Sequence, residues 1–314
     1  MRILLVTYKG YKGHVAQDTV NEFQKTIIRD GVGIETTANF IRIFNHATLR
    51  LIPRHFQWLS LYKKKGVKKF CIVIGPEFRK CLIPFLYNDD NSLYIFDAWP
   101  ANQNAIEHFI RVARVRNVFF SSRYATRLFS GKGLDCTFTW VPEAITVANY
   151  RFEEYARKDI QVLAFGRRYD EYHEKIVDRL ATEQISYLYE KVKRAIVFPT
   201  REDFIDGLAR TKISICVPSS ITHPEHAGEI STMTIRYLQS MASKCLIVGY
   251  MPDEMKELFD YTPIIEIDMN DPAGQLVDIL KNFDHYVPLI EKNYLYIGEH
   301  HTWENRWQTI RKAL

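Results

Sequence analysis

A cluster of hydroxyl, carboxylate and guanidinium side chains lies between His223 and Ser243, directly after the apolar run KISICVP. Ser231 or Thr232 is a suitable N-cap, and the next helix-breaking residue lies beyond Ser243, so the pattern predicts a helix that begins there. Helical spacing would place four side chains on one polar face, namely Thr232, Arg236, Gln239 and Ser243. The free N–H groups of a helix N-terminus attract an anion, and Arg236 would add a positive charge one turn later. The segment predicts a diphosphate site, although a capped helix with a solvated arginine would show the same residues.

A second run with similar chemistry is Val162–Phe165, which is followed by Gly166, Arg167 and Arg168. A glycine lets the backbone approach a ligand, and a guanidinium can bond two phosphate oxygens at once. Arginines can also neutralise a leaving diphosphate without a metal ion. The alternative interpretation is that both arginines are solvated after the strand and bind no phosphate.

Carboxylates near these runs could bind hydroxyl groups instead of phosphate. Glu229 precedes the predicted helix and can accept hydrogen bonds from sugar or ribose hydroxyls. Asp97 follows the apolar run Leu93–Phe96 and precedes Trp99. A carboxylate there could orient a sugar hydroxyl or act as a base, or it could form an ordinary turn.

A glycine-containing loop follows the first apolar run of the chain. We expect Gly10, Lys12 and His14 to approach a phosphate there, although the G-x-G-x-x-G spacing of nicotinamide-binding proteins is absent. His14 joins Asp97 and Glu229 as a catalytic candidate. The paired His300 and His301 lack further ligand spacing, so we expect no metal site.

The run Arg54–Lys69 combines aromatic residues with five lysines. Such a composition is typical of a membrane interface. It could also bind a nucleic-acid backbone. The simplest interpretation is an amphipathic helix followed by solvated lysines. Charge is also uneven along the chain: residues 1–150 hold 21 Lys and Arg against 11 Asp and Glu, whereas residues 151–314 hold 21 against 26. We therefore expect the first half to favour an anionic partner.

The chain has 314 residues, of which 46% are hydrophobic and 25% charged, a composition that suits two globular domains and excludes extensive disorder. Its start lacks the features of a signal peptide, and no apolar stretch is long enough to span a bilayer. The five cysteines are scattered through apolar runs, which indicates buried free thiols in a reducing compartment. These features predict a cytoplasmic protein.

Short apolar runs alternate with helical patterns along the chain, and these elements must position the candidate site residues. The runs are continuous, as in parallel strands that are buried on both faces. They are Ile3–Thr7, Phe70–Ile74, Leu93–Phe96, Val118–Ser121, Thr137–Val141, Val162–Phe165, Ile185–Leu188, Ile196–Phe198, Ile213–Val217, Leu246–Val248 and Ile264–Ile267. The polar stretch Ala148–Asp159 separates two series. The pattern predicts an α/β protein of two Rossmann-like domains, 1–150 and 151–314, whose last helix could cross back to the first.

Several segments resemble the glycosyl transferases group 1 family of GT-B glycosyltransferases. Gln239–Lys244 and the following Cys245–Val248 resemble its E-A-M-A-x-G and strand signature, and Thr234–Gln239 is similar to the T-x-R-x-x-E form of bacterial polysaccharide-cluster members. Pro252–Phe259 resembles the P-E-x-x-x-L-F element, and His301–Arg306 the H-T-W-x-x-R ending. The strand before Gly166 is similar to the first strand of the donor domain.

The resemblance implies a GT-B fold, with two parallel sheets that face a central cleft and a donor domain in the second half. It implies transfer of a sugar from a nucleotide-diphosphate donor to a glycan or lipid-linked hydroxyl acceptor, as in bacterial surface polysaccharide synthesis, with no cofactor. The donor-binding candidates are Gly10, Gly166, Arg167, Arg168, Thr232, Thr234, Arg236 and Gln239.

One departure limits what the resemblance implies. Retaining members carry two glutamates eight positions apart, whereas this chain has Ser231 and Gln239 there. The resemblance therefore implies that this chain binds a nucleotide-sugar donor, but it does not imply retaining stereochemistry. The alternatives are a DNA-modifying GT-B glucosyltransferase, a nucleotide-sugar epimerase and a non-catalytic nucleotide-sugar-binding protein.

Overall fold

The computed structural model describes residues 2–8, 18–37, 64–75, 77, 81–166, 168–191 and 197–314. The chain forms two compact units. Unit 1 comprises Met1–Pro142, His226–Ile230 and Trp303–Leu314, and unit 2 comprises Glu143–Glu225 and Ser231–Thr302. Residues 143–150, which the sequence pattern places in the first domain, group with unit 2, where Ile145 forms a bridge with Thr302.

Unit 1 contains a parallel sheet. Its described strands are β1 (Arg2–Tyr8), β2 (Gly33–Thr37), β3 (Lys64–Ile74), β4 (Asn88–Phe96), β5 (Val115–Phe120) and β6 (Thr137–Trp140). Their order across the sheet is β2-β1-β3-β4-β5-β6. Five of these strands overlap the predicted apolar runs. The pattern missed β2, because its sequence GIETT is polar and only Thr37 is buried.

Helices cover both faces of this sheet. The helices of unit 1 that precede unit 2 are α1 (Asp18–Arg29), α2 (Leu82–Leu86), α3 (Gln103–Ala113) and α4 (Arg123–Ser130). Leu93, Ile95 and Phe120 pack in one apolar cluster with Phe109 of α3 and Phe129 of α4. Burial on both faces explains why the strand sequences are continuous apolar runs.

Unit 2 contains a second parallel sheet. Its described strands are β7 (Ile160–Ala164), β8 (Tyr187–Leu188), β9 (Thr211–Cys216), β10 (Leu246–Gly249) and β11 (Ile265–Glu266). Their order is β11-β10-β9-β7-β8, so the strand order reverses between β7 and β9. In open α/β sheets, ligands bind beyond the carboxyl ends of the strands at such a reversal. Two parallel α/β sheets confirm the predicted fold class.

The helices between β7 and Thr302 lie in unit 2, except that His226 and Ala227 group with unit 1. They are α5 (Asp170–Thr182), α6 (Arg201–Ala209), α7 (Ser219–Thr222), α8 (Pro224–Ala227), α9 (Ile235–Ala242), α10 (Asp253–Leu258), α11 (Pro272–Lys281) and α12 (Val287–His300). The predicted strand Ile196–Phe198 is wrong for its last two residues, which form bends. Pro199 removes a backbone donor at that point, and the Phe198 ring lies 6.1 Å from Phe204 of α6 instead.

The last helix, α13 (Trp303–Ala313), belongs to unit 1. Trp303 is fully buried and stacks on Phe23 with 4.5 Å between ring centroids. Arg306 donates from Nε to the Pro142 carbonyl at 2.9 Å, and burial lowers the pKa of its guanidinium to about 10. The tryptophan and arginine of the H-T-W-x-x-R ending therefore hold this helix on the first sheet.

Lys244 ends α9 with a φ of 50°, a left-handed conformation in which glycine is usual. Its ammonium lies 4.1 Å from the ring centroid of Phe152, 4.8 Å from that of Tyr294 and 2.8 Å from a carboxylate oxygen of Glu291. We call Phe152, Tyr294 and Glu291 the lysine cage. Cation–π and ionic attraction in the cage offset the backbone strain at Lys244.

All five cysteines are free, and four of them are buried. No helix among the described residues is long and apolar enough to cross a membrane.

Candidate functional site

A buried arginine lies where the strand order of the second sheet reverses. Arg236, which is only 9% exposed, donates from Nη1 to the Phe165 carbonyl at 3.2 Å and from Nη2 to the Val217 carbonyl at 3.0 Å. These carbonyls directly follow β7 and β9. The guanidinium therefore joins the carboxyl ends of both strands, where a ligand of an open α/β sheet binds.

The charge of Arg236 has no carboxylate partner among the described residues, and both of its acceptors are neutral carbonyls. Two of its five N–H groups are used there, which leaves the others for a ligand. Buried charges in proteins are normally paired, because desolvation of an unpaired ion is costly. This arrangement can therefore hold an anion.

Gly166 lies against this guanidinium in a left-handed conformation, with a φ of 75°. A Cβ atom at this position would lie 3.1 Å from Arg236 Cδ and 3.3 Å from Nη1. Glycine therefore favours both the left-handed turn after β7 and the close approach of the arginine. The structure brings together two of the predicted donor-binding residues, Gly166 and Arg236.

Arg168 has a different environment. Its Nε donates to Asp170 Oδ1 at 2.7 Å, and its Nη1 donates to the Glu190 carbonyl at 3.2 Å. The bond to Asp170 raises the pKa of the guanidinium. About a third of the side chain is exposed, so Arg168 remains accessible to a ligand that displaces Asp170. Arg167 lies outside the described residues.

The predicted start of the helix at Ser231 or Thr232 is wrong, because α9 begins at Ile235. Ser231 instead caps the following helix: its Oγ accepts from the Asp253 N–H at 3.0 Å, and its carbonyl accepts from the Glu254 N–H at 3.2 Å. Thr232 is buried in the extended segment before α9. Neither hydroxyl therefore lies on the first turn of the helix.

A carboxylate already occupies the N-terminus of α9. Glu143 Oε2 accepts the Ile235 N–H at 2.8 Å, so this first helical donor bonds an anion supplied by the chain itself. Thr234 is the N-cap residue but makes no side-chain capping bond. The predicted dipole-based anion site is thus partly filled, and the guanidinium of Arg236 is the clearer anion-binding group.

The part of the predicted polar face that lies on α9 is buried. Gln239 is 3% exposed and donates from Nε2 to the Tyr150 hydroxyl at 3.0 Å. Ser243 is fully buried at the other end of the helix. Gln239 therefore has a structural partner within unit 2.

Sequence analysis missed the segment after β9 as a source of site residues. Polar atoms of this segment that are buried and lack a hydrogen-bond partner among the described residues include Ser219 Oγ, Thr222 Oγ1 and His223 Nδ1. The type of residue was visible in the sequence, but the lack of a partner depends on tertiary packing. Their position at the carboxyl end of β9 was the available signal.

The catalytic candidates Asp97 and Glu229 both belong to unit 1. Asp97 directly follows β4 with a φ of 53°, and strained non-glycine residues of this kind are frequent at functional sites. Glu229 is exposed. The rings of Trp99 and His226 lie 5.2 Å apart. Trp99 is two residues after Asp97, and His226 is three residues before Glu229, so this contact brings together the segments that carry the two candidates. The remaining candidates, Gly10, Lys12 and His14, lie outside the described residues, as does most of the run Arg54–Lys69.

No protein-family model matches the sequence, and no curated protein matches it. Solved structures do match. The Anabaena protein HepE in complex with UDP and glucose is 8% identical with a TM-score of 0.61, over 100% of this chain and 99% of that one. An α-glucosyltransferase in complex with UDP and a 13-mer DNA is 12% identical with a TM-score of 0.60, over 99% and 98% of the two chains. TarM is 12% identical with a TM-score of 0.53, over 78% of this chain and 54% of its own. Together with its two parallel sheets, these similarities show that this chain has the GT-B glycosyltransferase fold.

Proposed function

We propose that this protein is a glycosyltransferase that moves a sugar from a nucleotide-diphosphate donor to a hydroxyl acceptor. The observation that carries the proposal is the buried guanidinium of Arg236, which lies at the strand-order reversal of unit 2 with neutral carbonyls as its only described acceptors. A diphosphate supplies the missing negative charge. Solved structures with the same fold contain UDP or UDP-glucose, which supports a nucleotide diphosphate as that anion.

In this proposal, Arg236 and Gly166 hold the diphosphate, and Arg168 adds a second cation by exchanging Asp170 for phosphate. The residues Gly10, Arg167, Thr232, Thr234 and Gln239 complete the proposed donor-binding set. Cationic side chains stabilise the charge that develops on the leaving diphosphate. We propose that these cations act in place of a metal ion and that the transfer uses no cofactor.

Asp97, Glu229 and His14 are the proposed residues for the acceptor side. A carboxylate near an acceptor hydroxyl can accept its proton as the sugar is transferred. The positive φ of Asp97 supports its selection as the first of these to test.

We propose a glycan or a lipid-linked glycan precursor as the acceptor, in polysaccharide synthesis at the cytoplasmic face of a membrane. The excess of positive charge in residues 1–150 supports contact with an anionic surface. The membership in group 1 of the glycosyl transferases likewise stays a proposal, supported by the match of Thr234–Lys244 to its donor motif.

The test is a measurement of donor binding and turnover. Isothermal titration calorimetry with UDP, GDP and their glucose or mannose conjugates should reveal one nucleotide family that binds the wild-type protein. Arg236→Met should weaken that binding at least tenfold, which is about 1.4 kcal/mol. Wild-type affinity in a folded Arg236→Met protein would refute the assigned pocket. Slow release of free sugar from the bound donor would distinguish an enzyme from a non-catalytic binding protein.

A second candidate function is glucosyl transfer to DNA. It is favoured by the basic first half of the chain and by the DNA complex of an α-glucosyltransferase with this fold. Binding to duplex DNA should then fall steeply as salt rises, because phosphate contacts release counterions. Weak binding that is insensitive to salt would leave the glycan acceptor as the better assignment.

A further inference from the structure

A short segment from the second half of the chain packs in unit 1. His226–Ile230 groups with unit 1, whereas the residues on either side of it group with unit 2. The Ile230 N–H donates to the Ala227 carbonyl at 3.1 Å, and both of these apolar side chains are buried. The segment is therefore a packed turn and not a solvated loop. We call His226–Ile230 the docked segment.

The docked segment contacts Asp97–Asn102, which we call the aspartate turn. The His226 ring lies 5.2 Å from the Trp99 ring and is tilted by 43° against it. Gly228 has a φ of 56°, and a Cβ atom built on it would lie 3.1 Å from Pro100 Cγ. Glycine at this position therefore favours both the left-handed backbone and the close approach of the proline. Two residues of the docked segment thus fit against two consecutive residues of the aspartate turn.

The aspartate turn depends on its surroundings. Asp97 is a non-glycine residue with a φ of 53°, and such conformations persist where neighbouring groups over-determine them. Within the turn, the Asn102 N–H donates to the Trp99 carbonyl at 2.8 Å, and Asn102 Nδ2 makes a long bond of 3.5 Å to the Asp97 carbonyl. These bonds join the end of the turn to its beginning, and the remaining support comes from other segments.

A glycine after the neighbouring strand confines the turn at its two ends. Gly75 directly follows β3, which pairs with β4, and it has a φ of 50°. A Cβ atom on Gly75 would lie 3.3 Å from Asn102 Nδ2 and 3.7 Å from the Asp97 carbonyl oxygen. The docked segment confines the middle of the turn in the same way. Two segments that are distant in the sequence therefore fix the backbone that carries the Asp97 carboxylate.

We infer that the docked segment holds Asp97 in the position from which its carboxylate accepts the proton of the attacking hydroxyl, with His226 and Gly228 as positioning residues. The inference rests on the proposed function, in which Asp97 is the first candidate for this base. In that step the hydroxyl oxygen bonds the anomeric carbon of the sugar, and the bond from this carbon to the diphosphate breaks with its electron pair on the diphosphate. The hydroxyl proton passes to Asp97.

Position matters to this step because a base must lie within hydrogen-bond reach of the proton that it accepts. A misplacement of about 1 Å can lower a rate about a hundredfold. The diphosphate, in contrast, is bound by Arg236 of unit 2 in the proposed function. The docked segment should therefore control the turnover number and leave the donor affinity unchanged.

The test measures turnover and donor affinity separately. Water can act as the attacking hydroxyl, so the release of free sugar from the bound nucleotide sugar gives kcat without a known acceptor, and calorimetry gives the affinity. Gly228→Ala places a Cβ atom against Pro100, so the turn must shift by a few tenths of an ångström. We expect kcat to fall about tenfold, while the donor affinity stays within about twofold of the wild-type value.

Gly133→Ala is the matched control. Gly133 has a φ of 61°, and no described atom lies within 4 Å of a Cβ built on it. The variant therefore has the same left-handed strain without the contact, and it should keep the wild-type kcat. Addition of Pro100→Ala to Gly228→Ala removes the atom that the new Cβ meets, and it should restore most of the lost turnover.

The ring contact has its own conservative variant. His226→Ala removes the ring that packs on Trp99 and should lower kcat. His226→Phe keeps a ring in this position and should retain most of the turnover. Thermal denaturation would verify that each variant is folded.

A double variant shows whether the docked segment acts through Asp97. Asp97→Asn removes the proton acceptor at nearly constant size, so Gly228→Ala should lower kcat no further in that background. Glu229 lies within the docked segment itself. If Gly228→Ala acted through Glu229 instead, the double variant would still lose about tenfold relative to Asp97→Asn.

The outcomes are distinct. A further loss in the double variant, a wild-type kcat in Asp97→Asn, or a wild-type kcat in folded Gly228→Ala would each overturn the inference while the donor site stands. A parallel loss of donor affinity in Gly228→Ala would also overturn it, because the docked segment would then act on the donor. Failure of the wild-type protein to bind or hydrolyse any nucleotide sugar would instead refute the proposed function.

Discussion

Replacement of Gly166 by alanine tests whether the turn after β7 controls the position of Arg236. The glycine has a φ of 75°, and a left-handed alanine costs about 1–2 kcal/mol. The new Cβ would also lie 3.1 Å from Arg236 Cδ and 3.3 Å from Nη1, which is closer than ordinary van der Waals contact. The arginine must therefore shift by a few tenths of an ångström.

Such a shift weakens the bonds of the guanidinium to the sheet. The bond to the Phe165 carbonyl is 3.2 Å long, at the upper end of good N–H···O geometry, so further displacement should break it; the bond to the Val217 carbonyl has an ordinary length of 3.0 Å. A hydrogen bond from a charged donor contributes roughly 1.5 kcal/mol or more. Gly166→Ala should therefore destabilise the protein by about 3 kcal/mol and weaken binding of the nucleoside diphosphate about tenfold.

Gly31→Ala is the matched control. Gly31 has a φ of 80°, and nothing lies within 4 Å of a Cβ built on it. It should therefore show the left-handed cost of about 1–2 kcal/mol alone and retain full ligand affinity. Urea denaturation and calorimetry measure both quantities. Equal destabilisation in the two variants, with unchanged affinity in Gly166→Ala, would refute the coupling between this glycine and Arg236.

Three further predictions concern other parts of the molecule. Lys244→Ala should destabilise unit 2 by about 2 kcal/mol, because the contacts of the lysine cage are lost. Lys244→Gly should be about 1 kcal/mol more stable than Lys244→Ala, since glycine removes the left-handed strain. Equal denaturant midpoints for the two variants would contradict this order. Burial and, secondarily, the nearby Arg168 lower the pKa of His173 in the folded protein. As the pH falls, the unfolded chain therefore binds a proton at this histidine before the folded protein does. The stability of the folded protein should decrease as the pH drops through the usual imidazole pKa of about 6.5. His173→Gln should lessen that decrease in thermal-melting experiments between pH 7 and pH 5. Extensive dialysis against EDTA should leave donor turnover unchanged, because arginines neutralise the leaving diphosphate; loss of turnover that Mg²⁺ or Mn²⁺ restores would overturn this assignment.

Much of the sheet architecture could be predicted from the sequence. Strands buried on both faces need continuous apolar runs, and Leu93–Phe96 or Ile213–Val217 display them directly. The edge strand β2 could not be recognised in the same way, since it is short and mostly polar. Phe198 shows the opposite error: an apolar residue was assigned to a strand, whereas it packs on α6 beside a proline.

The closeness of Gly166 and Arg236 could be anticipated from the sequence, whereas the local structure around α9 could not. Gly166 and Arg236 could be selected because a glycine and an arginine at strand and helix ends suit a phosphate. The start of α9 could not, because Ser231 bonds to Asp253 and Glu254 more than twenty residues later in the chain. Nor does a sequence reveal that Glu143 supplies an anion at this helix, or that Ser219, Thr222 and His223 each have a buried polar atom without a partner among the described residues.

The most direct test of the account is a crystal structure of the protein with the nucleoside diphosphate that it binds in solution. The account predicts that the diphosphate oxygens lie within about 3.2 Å of the Arg236 guanidinium, beyond the carboxyl ends of β7 and β9. A diphosphate bound elsewhere, with Arg236 still bonded only to the Phe165 and Val217 carbonyls, would contradict it.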